Sequence, residues 1–258
     1  MNILVLVRPV PAADARLRVN PEGDGYDLAS LKLQVNEFDL FAMEEALRIK
    51  ERLTKTEITG VMVGPTRALE TLKKALALGA DHGALIDDSE APAADALTTA
   101  YLIAAWARPR RFDLILCGVM SEDLQRSQVG PMLAELLAMR CATTAVSLQL
   151  QPDQGRLLCE RELEGGAREK LELPLPALVS VQSGINLPRY AGLSHVLRVK
   201  EMAVPVIAAA GLGPVLSNER TVRAYFPTAS GVCEFLEGDL EEMAETLVEK
   251  IRQRVPVI

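Results

Sequence analysis

The stretch Leu114-Ile115-Leu116-Cys117-Gly118 limits the folds open to this chain more than any other. A short apolar run that stops at a glycine reads as a strand buried on both faces, the kind found in parallel sheets. Beyond a long polar loop, Gly130-Pro131 is followed by Met132, Leu133, Leu136 and Leu137 at helical spacing, and Pro131 suits a first helical turn. A loop that opens onto a helix amino end meets N–H groups with no intrahelical partner, a place that holds anions such as phosphate. The same residues also suit one more βα turn in an α/β domain.

The pattern repeats along the first half of the chain. A strand over residues 2–10 is ended by Pro9 and Pro11, and residues 12–34 form a polar excursion. Its alternating pieces, 16–19 and 31–35 around Gly23-Asp24-Gly25, suggest a small hairpin over the sheet edge. Asn36 is placed as a helix N-cap before Ala42, Ala46, Leu47 and Ile49, with Glu44, Glu45, Arg48 and Lys50 expected to face water. A strand at 58–63 closes at Gly64-Pro65, and a helix at 66–78 ends at Gly79. A short strand at 84–86 and an Ala-rich helix at 93–106 lead to the strand at 112–117. Such alternation predicts a doubly wound, mostly parallel sheet with helices on both faces and ligands outside its carboxyl ends. The loops to collect are therefore 8–11, 63–65 and 118–129, with 36–39 beside them. Together they suit an adenine nucleotide, although Gly211-Leu212-Gly213-Pro214 is no dinucleotide fingerprint and no Walker A pattern occurs.

After Cys141 the pattern turns to β, with antiparallel pieces expected at 146–150, 156–163, 170–173 and 177–182 that extend the sheet or lie across it. From Gly184 regular structure is expected to thin out, with a loop at 186–193. Residues 202–217 are small and apolar, an irregular arm that needs a partner surface. A last helix at 239–252 carries Leu240, Met243, Ala244, Leu247 and Ile251 as one stripe, which suits this chain's own sheet or a partner. The organisation expected is an α/β domain over 1–200 and a partner-binding arm and helix over 201–258.

Composition excludes several roles. Hydrophobic residues are 49% and aromatics 4% of the chain, so the core is aliphatic. A net charge of −7 with scattered Lys and Arg leaves no basic stripe for nucleic acid. No apolar run reaches membrane-spanning length, and the amino terminus enters Asn2-Ile3-Leu4-Val5 at once, which points to a cytoplasmic or matrix-like protein. Cys117, Cys141, Cys159 and Cys233 form no CxxC pair, and His82 and His195 are far apart, so buried thiols are expected rather than a metal site. No nucleophile, triad or paired carboxylates stand at a catalytic spacing.

Several ordered motifs go further: Val7-Arg8-Pro9-Val10-Pro11, Asn36-Glu37-Phe38-Asp39 with Met43-Glu44-Glu45-Ala46, and Gly64-Pro65. They continue through Ala75-Leu76-Ala77-Leu78-Gly79-Ala80-Asp81, Asp113-Leu114-Ile115-Leu116-Cys117-Gly118, Glu160-Arg161-Glu162-Leu163-Glu164-Gly165-Gly166 and Asn186-Leu187-Pro188-Arg189-Tyr190. In this order, from Met1 to about Lys200, the chain resembles the β subunit of electron-transfer flavoproteins.

The resemblance implies a flavodoxin- or HUP-like, adenine-nucleotide-binding α/β fold with an antiparallel extension and a C-terminal arm. It also implies an αβ heterodimer that carries electrons from flavin dehydrogenases, such as acyl-CoA dehydrogenases, to a quinone reductase or similar acceptor. FAD would be shared with the α subunit and AMP held by the β subunit; in electron-bifurcating members a second FAD takes the AMP site and NADH is oxidised. Carried over by position, the pocket is Leu6, Asn36, Glu37, Phe38, Asp39, Val63, Gly118, Val119, Met120, Ser121, Glu122, Asp123, Leu124, Gln125, Arg126, Ser127, Gln128 and Val129. Glu162 matches an acid that faces the flavin, and Leu193, with Tyr190, matches the docking loop for partner dehydrogenases.

The chain departs from the family at Val119-Met120, where Lys-Gln is common, and at Gln125, which replaces an acid. Ser121 and Asp123 are similar to AMP-holding members and Gln128-Val129-Gly130-Pro131 to bifurcating ones, with AMP the expected occupant. Arg126 adds a guanidinium able to pair with phosphate. Outside the family, a non-redox adenine-nucleotide-binding regulator suits the same loops. A hydrolase or ligase suits them less, because Arg8-Pro9-Val10-Pro11 is no Ser- and Gly-rich phosphate loop.

Overall fold

In the computed structural model, which describes residues 1–29, 31–89, 95–213, 219, 221–227, 231 and 233–254, the aliphatic runs pair into a nine-stranded sheet. The chain runs β1 (Asn2–Leu6), β2 (Pro9–Pro11), β3 (Leu33–Val35), α1 (Glu37–Arg52), β4 (Glu57–Gly64), α2 (Leu69–Leu76), β5 (His82–Asp87) and α3 (Ala96–Ala107). It continues through β6 (Leu114–Gly118), α4 (Val129–Leu136), β7 (Arg140–Gln151), β8 (Arg156–Glu162), β9 (Arg168–Pro174) and β10 (Ala177–Val181). α5 (Leu193–Glu201), β11 (Val206–Ala208) and α6 (Leu240–Arg254) complete it. The order across the sheet is β11-β5-β4-β1-β6-β10-β7-β8-β9, with β2 and β3 forming a separate pair.

Successive side chains on a strand face opposite sides, and β1 shows why its apolar run is continuous. Ile3 and Val5 join one core with Met43, Ala46, Leu72 and Leu76 from α1 and α2. Leu4 and Leu6 join a second core with Leu102, Ile103, Trp106 and Leu133 from α3 and α4. Both faces are thus covered, as a parallel sheet requires.

Several expectations need correction. Residues 31–35 do not pair with 16–19: β3 runs antiparallel to β2, and the excursion between them keeps one isolated bridge, Val19 to Tyr26. Two prolines are tolerated in so short an edge pairing because a missing N–H there costs little. The piece at Ala177–Val181 is parallel to both β6 and β7, whereas β7, β8 and β9 are the antiparallel extension. An apolar run reports burial and carries no direction. The expected loop at 186–193 leads into α5, whose amphipathic turns sequence reading missed, and His195 on it is exposed.

The arm is corrected in part. β11 pairs in parallel with β5, and Ala209 is buried in the second core, so the edge of the sheet comes from beyond residue 200. Residues 214–217 of that arm lie outside the described residues. Of the cysteines, Cys117 and Cys159 are buried as expected, but Cys141 near the start of β7 and Cys233 in the tail are exposed. Among the described residues, no helix is long and apolar enough to cross a membrane.

α6 is capped as its sequence predicts, with the Glu241 and Glu242 N–H groups donating to Asp239 Oδ1 at 3.0 Å each. None of its residues is buried. Leu240, Leu247 and Ile251 of its apolar stripe are exposed among the described residues.

Candidate functional site

From β1 the chain steps outward through β4 and β5, then returns to β6 on the other side of β1. That reversal leaves a crevice outside the carboxyl ends of β1 and β6, and the first turn of α1 is locked into it. Asp39 is the lock. Its Oδ2 accepts the Arg8 N–H at 2.8 Å and its Oδ1 the Gly118 N–H at 2.9 Å, joining the exits of both strands to α1. A Cβ on Gly118 would lie 2.5 Å from Phe38 Cβ and 2.7 Å from the Phe38 carbonyl carbon, so only glycine lets the helix approach this closely.

Burial pushes the Asp39 carboxyl up to about 6, against the hydrogen bonds from Arg8, Gly118 and Asn36, which lower it. A carboxyl raised on folding stabilises the fold fully below its ordinary range and loses that contribution as pH rises through the folded value. Between pH ~4 and ~6 the protein is therefore expected to lose about 3 kcal/mol that Asp39→Asn does not lose, on the scale of 1.36 kcal/mol per pH unit. The variant carries a constant penalty, because its amide NH2 opposes a main-chain donor. Urea melts of both proteins at pH 4.5 and 7 check this, and an unchanging difference between them would contradict it.

Asn36 takes the N-cap position but makes no side-chain cap bond. It is 1% exposed and holds the long loop instead: Nδ2 donates to the Met120 carbonyl at 3.0 Å, and Oδ1 accepts the Glu122 N–H at 3.0 Å. The N–H of Glu37 at the amino end of α1 is met by Glu122 Oε2 at 3.0 Å. A carboxylate of the protein itself thus occupies that helix end.

Arg8 forks onto Asp123, with Nε to Oδ1 at 3.3 Å and Nη2 to Oδ2 at 2.9 Å. Burial raises the Asp123 carboxyl, but the Arg8 bond and charge and the Ser121 hydroxyl outweigh it and hold it below the usual range. Arg126 pairs with Glu219 of the C-terminal segment. Gln125 sits at φ 52, and Leu124, Ser127 and Gln128 are exposed. α4 then opens at Gln128 with no side-chain cap bond, the feature an anion at this helix end would need. Leu6 is buried and Val63 half-buried beside these loops.

The register Gly118 to Val181 to Ala145 to Arg161 carries Glu162 to this same edge, three strands or roughly 14 Å away at ordinary strand spacing. A bulge in β7 sets it there. Thr144, at φ 56, donates from Oγ1 to the Glu162 carbonyl at 3.0 Å, and its N–H donates to the buried Ser180 Oγ at 3.2 Å.

Tyr190 and Leu193 lie elsewhere, along α1 and α2. Glu44 and Glu45, expected in water, are buried because the segment before α5 lies over them. Arg189 bonds Glu44 and Glu51, and Asn186 bonds Glu45 and the Phe41 carbonyl. The Arg189 hydrogen bond holds the Glu51 carboxyl below its usual range, against a small rise from burial. A helical count that looks only for the sheet-facing stripe misses this second covered face. Two cavities, of about 350 Å³ beside Thr59, His82 and Arg110 and about 320 Å³ beside Arg48, Arg52 and Ser147, are both away from the switch point.

A doubly wound sheet with a helix end and a polar loop at its reversal is the architecture of α/β proteins that take ligands at strand ends. The electron transfer flavoprotein domain matches residues 26–212. The electron transfer flavoprotein subunit beta of Methylophilus methylotrophus is 31% identical over 261 residues, covering 98% of each chain. That of Sus scrofa is 34% identical over 258 residues, 98% of this chain and 97% of its own. That of Bos taurus is 36% identical over 227 residues, 86% of this chain and 87% of its own. The chain belongs to the electron transfer flavoprotein family, on the β-subunit side.

Proposed function

We propose that this chain is the β half of a heterodimeric electron carrier. With an α subunit it would form the seat of an FAD, receive electrons from flavin dehydrogenases such as acyl-CoA dehydrogenases, and deliver them to a quinone reductase or a similar acceptor. The observation that carries this reading is the likeness, along 98% of the chain, to proteins named as β subunits of electron transfer flavoproteins. FAD, when bound, takes up and hands on the electrons. Glu162 is the side chain this reading turns toward it, and the exposed stripe of α6 is the surface it gives to the α subunit. Residues 201–258 then serve mainly assembly.

AMP is the proposed occupant of the switch-point pocket. The residues suit it: Glu122 already fills the amino end of α1, so a phosphate is directed to the uncapped amino end of α4 near Ser127 and Gln128. Leu6 and Val63 offer an apolar wall for an adenine. The side chains of Asn36 and Asp39 are spent on main-chain groups, so their part is to hold the loop in place.

The test is co-expression with an α subunit of the family. A yellow heterodimer, bleached on mixing with a reduced acyl-CoA dehydrogenase, supports the carrier reading. A colourless protein that binds adenine nucleotide would make the chain a regulator instead.

A further inference from the structure

Glu44 is 4% exposed, yet its carboxylate belongs neither to the sheet core nor to the switch-point site. Oε2 accepts the Arg189 main-chain N–H at 3.2 Å and its Nε at 2.8 Å, while Oε1 accepts Nη2 at 2.8 Å. The remaining arm of the guanidinium, Nη1, reaches Glu51 Oε1 at 2.5 Å, two turns further along α1. Asn186 Nδ2 donates to the Phe41 carbonyl at 3.0 Å and to Glu45 Oε2 at 3.1 Å. At the far end of the segment, Arg198 Nη2 donates to the Ala80 carbonyl at 2.7 Å.

Between these anchors stand Leu187, Tyr190 and Leu193, at 88%, 99% and 75% exposure. Three large apolar side chains so close in sequence would fold back onto their own domain if the segment were free to do so. The anchors hold them out. A planar fork on a buried carboxylate fixes direction as well as distance, which a single charge on a flexible stem does not.

We propose that Glu44 and Arg189 are positioning residues for the docking surface, their buried pair setting the height and angle at which Leu187, Tyr190 and Leu193 meet a flavin dehydrogenase. This rests on the reading of Leu193 as the docking anchor. A segment already held in its bound shape loses little freedom on association. Loosening it therefore raises KM for the dehydrogenase and leaves kcat and bound FAD as they were.

The experiment uses the αβ heterodimer carrying Glu44→Gln, Glu51→Gln, Leu193→Ala, and Glu44→Gln with Leu193→Ala. KM and kcat are measured with the donor dehydrogenase, together with hydrogen exchange over residues 186–193. Glu44→Gln is expected to raise KM roughly tenfold, the worth of a charged hydrogen bond, and to speed exchange in that segment while β1 stays protected. Glu51→Gln, on the exposed arm of the fork, should raise KM two- to threefold. It carries the test if Glu44→Gln does not fold, and an unchanged KM in it then overturns the proposal. In the double variant Leu193→Ala should add little to Glu44→Gln, because both act on one surface. If Leu193→Ala raises KM while Glu44→Gln changes neither KM nor exchange, or if the two effects simply multiply, the positioning role is wrong and the docking reading stands. If Leu193→Ala changes nothing, the docking reading fails and the positioning role with it.

Discussion

Leu193→Ala in the assembled heterodimer is expected to slow electron transfer from the dehydrogenase roughly tenfold to a hundredfold at subsaturating carrier. An apolar anchor buried in a partner's pocket contributes about 1.5–3 kcal/mol, and each 1.4 kcal/mol is a factor of ten. The side chain begins α5 and is largely in water, so neither of this chain's cores depends on it. Heterodimer yield and FAD content should therefore not change. Reduction of the carrier by the dehydrogenase, followed against carrier concentration, gives the answer. Equal rates at low concentration would show that the dehydrogenase docks elsewhere.

The second large effect concerns α6. Leu240, Leu247, Val248 and Ile251 on this helix, with Phe235 just before it, are all exposed, and an isolated helix of this length is marginal without a covering surface. Leu247→Asp with Ile251→Asp would bury two unpaired carboxylates in that cover, a cost on the order of 5 kcal/mol. Co-expressed subunits should then elute apart on size exclusion, while the variant loses at most the helical circular dichroism of α6 itself and still unfolds cooperatively, since α6 belongs to neither core. Undiminished co-elution would remove α6 from the interface.

Much of the fold was legible because burial on both faces leaves a simple mark. Ile3 to Leu6 in β1, Val61 to Val63 in β4 and Leu114 to Cys117 in β6 are continuous apolar runs, and Gly64-Pro65 and Gly118 punctuate the ends of the last two. Alternation with helices predicts a doubly wound, mostly parallel sheet, and the loops at the carboxyl ends of its strands follow from that, whereas the strand order itself comes from the pairing. Direction in the later strands was not legible, because Ala177–Val181 reads the same whichever way it runs. Nor was the fate of Asn36, Glu44 and Glu45. Their partners, at Met120 and Glu122 and at Asn186 and Arg189, come from the other side of the chain. Helical spacing records only the face that meets the sheet. Likewise β11 has three residues, too few for a period to declare itself, and its place rests on pairing with β5.

The proposed AMP seat lies where β1 and β6 part, with the phosphate directed to the amino end of α4. The direct measurement is the set of nucleotides released by acid from purified αβ heterodimer, separated and quantified against protein. One FAD and one AMP per heterodimer is the expected result. Two FAD with no AMP would contradict the AMP seat and make the carrier a bifurcating one, and FAD alone would leave the switch-point pocket without its proposed ligand.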